Sequence, residues 1–306
     1  MESLAVRYFY EVAQKGSLSA ASESLHVAVS AISRQVSALE QDLGSALFQR
    51  SARGMVLTEA GELLLRHVRR STLEDQAVRS SIAALRGAGH SVLRIACTQG
   101  LANDFLPSTL AHFERTHPDI RYRIWVDSAR QATQRVETGE ADVALTFSIT
   151  PPPSTGSVKV LYARASPALA VMSQDHPLAR HRRLDIRDLI SYPIALTDEN
   201  TSTFKLYQLA SNMVGTWVEP KIYSNYAAAL HAYVRDSQAI LFASYSSIFQ
   251  QLKVNRLVAI PLKNPEMHAR TMQVQVMRGR ILPDVIEQFL NVTIRRMNEI
   301  VMQAPV

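Results

Sequence analysis

The stretch Ser17–Leu39, SLSAASESLHVAVSAISRQVSAL, holds two short amphipathic patterns with a break between them. In the first, Leu18, Ala21 and Leu25 recur at spacings of three and four, which puts them on one helix face. In the second, Ile32, Val36, Leu39 and Leu43 do the same. The opposite side of the second pattern is Ser30, Ser33, Arg34 and Ser37, small hydroxyls and a guanidinium with no Glu or Lys among them. Hydroxyls donate to or accept from base edges and Arg forks onto guanine, so such a helix suits the floor of a DNA major groove. The same residues also suit a helical pair whose polar face is only solvated. The flanking sequence separates the two readings.

Residues 4–14 place Leu4, Val6, Phe9, Val12 and Ala13 along one helical side, and Gly16 suits a left-handed stop. Ser17 is a good N-cap for the next helix, the break falls at His26–Val27, and the third helix runs to about Leu43, before Gly44. The last two helices, about residues 18–37, form a helix-turn-helix. In LFQRSARGMVLT (47–58), Leu47 and Phe48 anchor a hairpin turned at Arg53-Gly54, a basic wing with Arg50 and Arg53 at its tip. Arginines so placed reach phosphates or the minor groove beside a recognition helix. The expected N-terminal domain is residues 1–58.

Thr58 to Leu85 contains no Pro and one Gly, Gly61. Leu64, Val68, Ser71, Asp75, Val78, Ile82 and Leu85 alternate at steps of four and three, a heptad seam with a polar middle. A helix of this length spans roughly 40–45 Å and cannot bury the seam alone. It either packs on its own domain or pairs with a second copy. The second reading makes residues 59–88 a linker and dimerisation helix, and a homodimer presents two recognition helices to an operator with two half-sites.

The 306 residues are 47% hydrophobic and 20% charged, an ordinary globular composition with room for two or three domains. No apolar run reaches membrane-spanning length, and MESLAVRYFYEVAQKG, with Glu2, Arg7 and Glu11, does not read as a secretory signal. A single cysteine excludes an internal disulfide and fits a cytoplasmic setting. The net charge is +6, but residues 1–90 hold 10 Lys/Arg against 9 Asp/Glu, so any basic surface there is local.

After a flexible joint at Gly87-Ala88-Gly89 the pattern becomes strand–helix alternation. VLRIAC (92–97), a helix over 101–116 ended by Pro118, IRYRIWV (120–126), a helix over 129–138 ended by Gly139, and DVALTF (142–147) give βαβαβ, a parallel sheet with helical crossovers. Pro151 to Gly156 reads as an exposed loop, and a strand follows around Val158–Tyr162. A second alternation has strands near 168–172, 193–197, 221–224 and 239–243, with helices near 202–213, 226–235 and 245–251. RTMQVQVM (270–277) is a further strand, and Pro283 opens a final helix to about 301. The expected fold class is thus α plus α/β, with residues 89–306 forming a hinged, doubly wound clamp. Its lobe I covers about 89–163 and 269–306, and its lobe II about 164–268.

The first 61 residues resemble the LysR-type transcriptional regulators. The pattern is carried by Phe9, Val12-Ala13, Gly16 through Ala21, Leu25, Val27, Ala31 through Val36, Leu39-Glu40, Leu43-Gly44, Leu47-Phe48, Arg50, Arg53-Gly54, Leu57-Thr58 and Ala60-Gly61. Weaker pieces follow in Phe105–Pro107, His112–Glu114, His117–Ile120, Gly139–Leu145 and His176–Ala179. The resemblance implies a winged helix-turn-helix, a long linker helix and a two-lobed, periplasmic-binding-protein-like effector domain. It also implies homodimers pairing into tetramers and sequence-specific double-stranded DNA as partner, and it leaves RNA polymerase as a further one. Ser30, Ser33 and Arg34 would face base edges, with Val29 and Ser37 beside them and Arg50 and Arg53 on the backbone or minor groove. Two positions depart from the family, which often has Ser then Gln where this chain has Ala28 and Val29. Ala28 cannot cap the recognition helix, a loss of roughly 0.5–2 kcal/mol. Val29 offers an apolar contact, such as a thymine methyl, in place of an amide that reads adenine.

In doubly wound sheets ligands sit beyond the C-terminal strand ends, where helix N-termini point, and the family's effector cleft lies there too. Those positions are Thr98, Gln99 and Gly100, then Ser128, then Phe147-Ser148 in lobe I. Lobe II offers Thr197, Asp198, Asn200, Thr201, Asn225, Ser244 and Tyr245. Phe147, Phe204, Tyr226, Phe242 and Tyr245 are candidates for an aromatic wall, though core packing competes for each. The expected effector is a small polar metabolite, and Asp198 favours one that is neutral or carries an amine. Cys97 reads as a small buried hydrophobe rather than a redox sensor, and no cofactor or metal is expected. The nine His lack metal-ligand spacing, and there is no phosphate-binding glycine loop, GxSxG or HExxH. A two-lobed clamp alone would suit a solute-binding module, or an enzyme had it a catalytic constellation; the N-terminal assembly speaks against the first and the missing constellation against the second.

Overall fold

The computed structural model describes residues 3–51, 54–85, 92–150 and 156–305. These form two compact units. The first carries α1 (Leu4–Lys15), α2 (Leu18–Leu25), α3 (Val29–Asp42), the antiparallel hairpin of β1 (Phe48–Ser51) and β2 (Gly54–Leu57), and α4 (Glu59–Leu85). Ser3 Oγ accepts from the Val6 amide and Ser17 Oγ from the Ala20 amide, so both helices begin where the sequence supplies a cap. Between α2 and α3, His26 turns left-handed (φ 55°) and the Ser22 hydroxyl donates to the Val27 carbonyl. Phe9, Val12, Ala21, Ile32 and Leu47 are wholly buried together, and the Phe9 and Phe48 rings lie 5.3 Å apart. Leu4 and Leu43 are exposed instead of joining that core, because each stands at the end of its helix, where the apolar stripe has already run out.

The wing is tied to the helices by polar contacts. Glu40 Oε1 accepts the amides of Leu47 (2.8 Å) and Phe48 (3.2 Å), and Thr58 Oγ1 donates to the Ala46 carbonyl. Met55 donates its amide to the Gly16 carbonyl at 2.8 Å. A Cβ on Gly54, whose φ is 107°, would meet that same carbonyl oxygen at 2.4 Å, so this approach needs glycine. The seam of α4 divides along its length. Leu65 and Val68 are buried and Leu64 packs beside them in the first core, whereas Val78 and Ile82 are 58% and 49% exposed. The helix thus packs on its own domain with one half and leaves an apolar stripe open on the other; the Leu85 side chain, Gly87–Gly89 and the Pro151–Thr155 loop lie outside the described residues.

In chain order, the second unit begins with β3 (Val92–Cys97), α5 (Gln99–Asn103), α6 (Phe105–Glu114), β4 (Arg121–Val126), α7 (Ala129–Thr138), β5 (Val143–Ser148) and β6 (Val158–Ala165). The chain then crosses to β7 (Leu169–Ser173), β8 (Ile194–Thr197), α8 (Ser202–Met213), β9 (Ile222–Ser224), α9 (Ala227–Arg235), β10 (Ile240–Ala243), α10 (Tyr245–Ile248), α11 (Gln251–Val254) and β11 (Leu257–Ile260). It returns in β12 (Thr271–Met277) and ends in α12 (Asp284–Met302). One sheet has the order β4-β3-β5-β12-β6, the other β11-β7-β10-β8-β9. Each has its own core, the first around Ile95, Phe105, Phe113, Leu145 and Phe289, the second around Met172, Leu196, Tyr207 and Phe242.

Three expectations are corrected. The sheets are mixed: β3 pairs in parallel with β4 and β5, but the returning β12 enters between β5 and β6 antiparallel to both, and β7 runs antiparallel to β10 and β11. The helix read over 101–116 breaks at Asp104, because Pro107 has no N–H and its ring opposes the carbonyl four residues back. The helix read over 245–251 is likewise two pieces, α10 and α11. Strand β11 was not expected.

Ala28 stands at the N-cap of α3 and makes no side-chain cap bond. Ala28→Ser should therefore stabilise the protein by about 1 kcal/mol, seen as a higher urea midpoint at unchanged m-value. An unchanged midpoint would mean that another group already serves those amides.

Candidate functional site

Helix α3 buries Ile32 and Val36 and turns its other face outward. Val29 (41% exposed), Ser30, Arg34 and Ser37 are exposed on that face, and Ser33 is half-buried beside them. Among the described residues no acid pairs with Arg34, so its guanidinium is available to a base edge or phosphate. Arg50 lies on β1, with its side chain outside the described residues; Arg53 lies outside them altogether.

The second unit contains a cleft between its two sheets, with a cavity of about 860 Å³. Thr98, Gln99, Gly100, Ser128, Phe147, Thr197, Asn225 and Ser244 all line it. Tyr245 does not. Ser244, Ser247 and Ile248 share the helical face toward the cavity, and Tyr245 is rotated away onto the first-sheet core beside Phe249 (6.4 Å). Of the other aromatic candidates, Phe242 lines the cleft, Phe204 packs into the second core near Trp217, and Tyr226 is exposed.

Most of the lining hydroxyls are already committed. Ser128 caps α7, accepting from the Gln131 amide and donating to Gln131 Oε1 at 2.7 Å. Thr197 and Thr201 lie Oγ1 to Oγ1 at 2.7 Å, and Ser244 Oγ lies 2.7 Å from Ser247 Oγ. Thr98 Oγ1 differs, being buried with no hydrogen-bond partner among the described residues. The acids have partners too: Asp127 holds Arg135 at 2.6 Å, and Asp198 accepts both the amide and the side chain of Asn200, which lowers its pKa.

Several lining residues escaped sequence reading, chief among them Arg270. It is wholly buried, donating from Nε to the Ser166 carbonyl (3.0 Å), from Nη1 to Thr203 Oγ1 (2.9 Å) and from Nη2 to the Pro167 carbonyl (3.4 Å). Its guanidinium carbon sits 4.5 Å from the Phe147 ring centroid. Burial alone lowers its pKa to about 10, so it stays cationic at neutral pH. His231, also buried in the lining, is held below the usual imidazole range, chiefly by burial. A basic residue just before a strand gives no sign in sequence that it will be buried.

At one side of the cleft the lobes touch. A Cβ on Gly100 would stand 2.8 Å from Ser247 Oγ and 3.1 Å from the Phe147 ring, so a larger residue there would force the Ser247 hydroxyl aside. Beside it the buried Asp104 accepts the amides of Gln250 (3.0 Å) and Gln251 (3.2 Å) and the Gln251 side chain (2.9 Å). Cys97 is fully buried at the end of β3, its thiol pushed up to about 12 first by burial and then by the Asp127 charge. Among the described residues no three His, Cys, Asp or Glu gather to hold a metal, and no helix is long and apolar enough to cross a membrane.

Two family models match the chain. Residues 4–62 match the bacterial regulatory helix-turn-helix proteins of the lysR family, and residues 86–298 match the LysR substrate binding domain. The chain is 29% identical over 288 residues to an SDS degradation transcriptional activation protein of Pseudomonas sp., covering 92% of each. It is 26% identical over 258 residues to a RuBisCO operon transcriptional regulator of Allochromatium vinosum, covering 84% of each. Its fold is similar to that of a full-length OxyR variant from Pseudomonas aeruginosa (TM-score 0.61, 18% identity, 97% of this chain and 95% of that one).

With its thiol neutral to about pH 12, Cys97 should resist iodoacetamide in the native protein at pH 8 and react fully once urea unfolds it. Rapid native alkylation, read by mass spectrometry, would contradict this burial.

Proposed function

Because the chain belongs to the LysR family of bacterial helix-turn-helix proteins, and so is a transcriptional regulator with an effector-binding domain, we propose how its parts divide the work. Val29, Ser30, Ser33, Arg34 and Ser37 read base edges in the major groove of an operator, with Arg50 and Arg53 on the adjoining backbone or minor groove. The observation that carries this reading is the outward face of α3, where a guanidinium without an acid partner stands among small hydroxyls over a buried Ile32/Val36 side. The protein acts in the cytoplasm as a homodimer, with the exposed Val78 and Ile82 of α4 closing against a second copy. Pairs of dimers supply the second half-site contact, and RNA polymerase is the downstream partner. A small molecule in the cleft, contacting Thr98, Gln99, Gly100, Ser128, Phe147, Thr197, Asn225 and Ser244, favours one closure of the lobes and so shifts the population competent for its operator. Val29 in place of an amide-bearing residue supports a half-site that differs from its relatives'.

Arg34→Ala should cost about 1–3 kcal/mol of specific operator affinity in a gel shift at fixed salt, with non-specific binding much less affected. Equal losses on operator and random DNA would assign Arg34 to phosphate instead. Thr98→Val removes a hydroxyl that has no internal partner, so the fold should be spared. The variant should lose the thermal shift produced by whichever metabolite stabilises the wild-type chain, while gel shifts on its operator stay unchanged; a retained thermal shift would remove Thr98 from the site.

A further inference from the structure

We propose that the cleft takes a small organic monoanion and that Arg270 holds its carboxylate, a proposal that rests on the cleft being the effector site. Arg270 is wholly buried and carries a full positive charge. Among the described residues no carboxylate pairs with it. Its neighbours are two carbonyls, one hydroxyl and the face of Phe147, which offset part of the desolvation but bring no counter-charge. Three of its five N–H groups are thereby taken, and the remaining two, on Nη1 and Nη2, have no partner among the described residues. Arg270 lines the cavity, as does Thr98 with its unpartnered buried hydroxyl. Thr203 Oγ1 accepts from Nη1 and keeps its own proton to donate.

The acids of the lining do not oppose this. Asp127 is paired with Arg135, a cation it shares with Glu140, and Asp198 is only half-buried and folded onto Asn200, so solvent screens it. A buried, unscreened cation outweighs a screened surface acid, which reverses the expectation of a neutral or amine-bearing ligand. The charge count sets the ligand class. One buried cation ringed by neutral donors balances one negative charge, while a phosphate dianion would leave a second charge buried and uncompensated. Arg130 and Lys205, exposed in the lining, add attraction for an arriving anion. Placement adds a consequence for closure: Arg270 immediately precedes β12 of one lobe, grips Ser166–Pro167 in the crossing segment, and touches Thr203 of α8 in the other. An anion held there contacts both lobes at once.

The test is thermal unfolding of the full chain with three matched probe pairs at constant ionic strength: formate and formamide, acetate and acetamide, benzoate and benzamide. At least one carboxylate should raise the melting temperature saturably while its amide does not. Arg270→Gln should weaken that carboxylate about 100-fold or more, and Arg270→Lys, which keeps the charge, should weaken it less. The acid–amide comparison is made in the wild-type chain, so it stands even if a variant fails to fold. The proposal is overturned if no carboxylate saturates, if acid and amide act equally, or if Arg270→Gln binds as well as wild type. Saturable stabilisation by an amide, abolished in Thr98→Val, would overturn the anion while leaving the cleft as effector site. Loss of no binding in either variant would remove the cleft reading as well.

Discussion

Everything in the larger unit hangs on two crossings of the chain that are bonded to each other. Outbound, the chain leaves β6 through Ser166 and Pro167; inbound, it returns through Arg270 into β12. Ser166 donates its amide to the Arg270 carbonyl at 2.8 Å, Arg270 Nε returns a bond to the Ser166 carbonyl, and Ala168 donates to the Met267 carbonyl at 2.8 Å. The crossings are therefore a short paired ribbon rather than two independent tethers. Because β12 continues inward between β5 and β6, this ribbon is rooted one strand in from the edge of one sheet. On the other side it feeds β7, itself flanked by β10 and β11 and likewise one strand in from an edge. Strain or charge introduced at the ribbon is delivered to an interior strand of each sheet.

The smaller unit is organised by a comparable economy. Glu40, at the far end of α3, holds the two amides that begin the wing, while the turn at Gly16 holds Met55 on its second strand. One carboxylate and one carbonyl thus fix the wing against the helix whose face carries Arg34. The apolar contacts of Phe9, Phe48 and Ile32 supply the bulk of the burial, and the polar contacts set the register.

Most of the architecture was legible in sequence because its signals are local. The cap at Ser17 is short-range chemistry, and so are the stops at Gly16 and Gly139. The cleft residues could be named because strand ends in an α/β sheet point to one side, a rule that fixed eleven lining positions and missed at Ser148, which does not line the cavity. It failed at Tyr245 because a one-residue step along a helix rotates a side chain by about 100°. The antiparallel entry of β12 was hidden, since strand direction depends on where a distant segment returns. Arg270 was hidden for the same reason: its burial is created by Ser166, Thr203 and Phe147, which lie far from it in the chain. The break at Asp104 was readable from Pro107, but its use was not, because its three bonds go to residues 250 and 251.

The contact at Gly100 and Asp104 gives the cleft a mechanical character. Along that wall Ser247 fills the space a side chain would need, and Asp104 fastens the start of α11, so parting the lobes there would strip a buried carboxylate of three donors. Away from that wall the lobes are joined again where Arg270 Nη1 donates to Thr203 Oγ1. A side chain added at Gly100 would press on Ser247 across the cleft, so how closely this wall shuts is set by a missing methyl group.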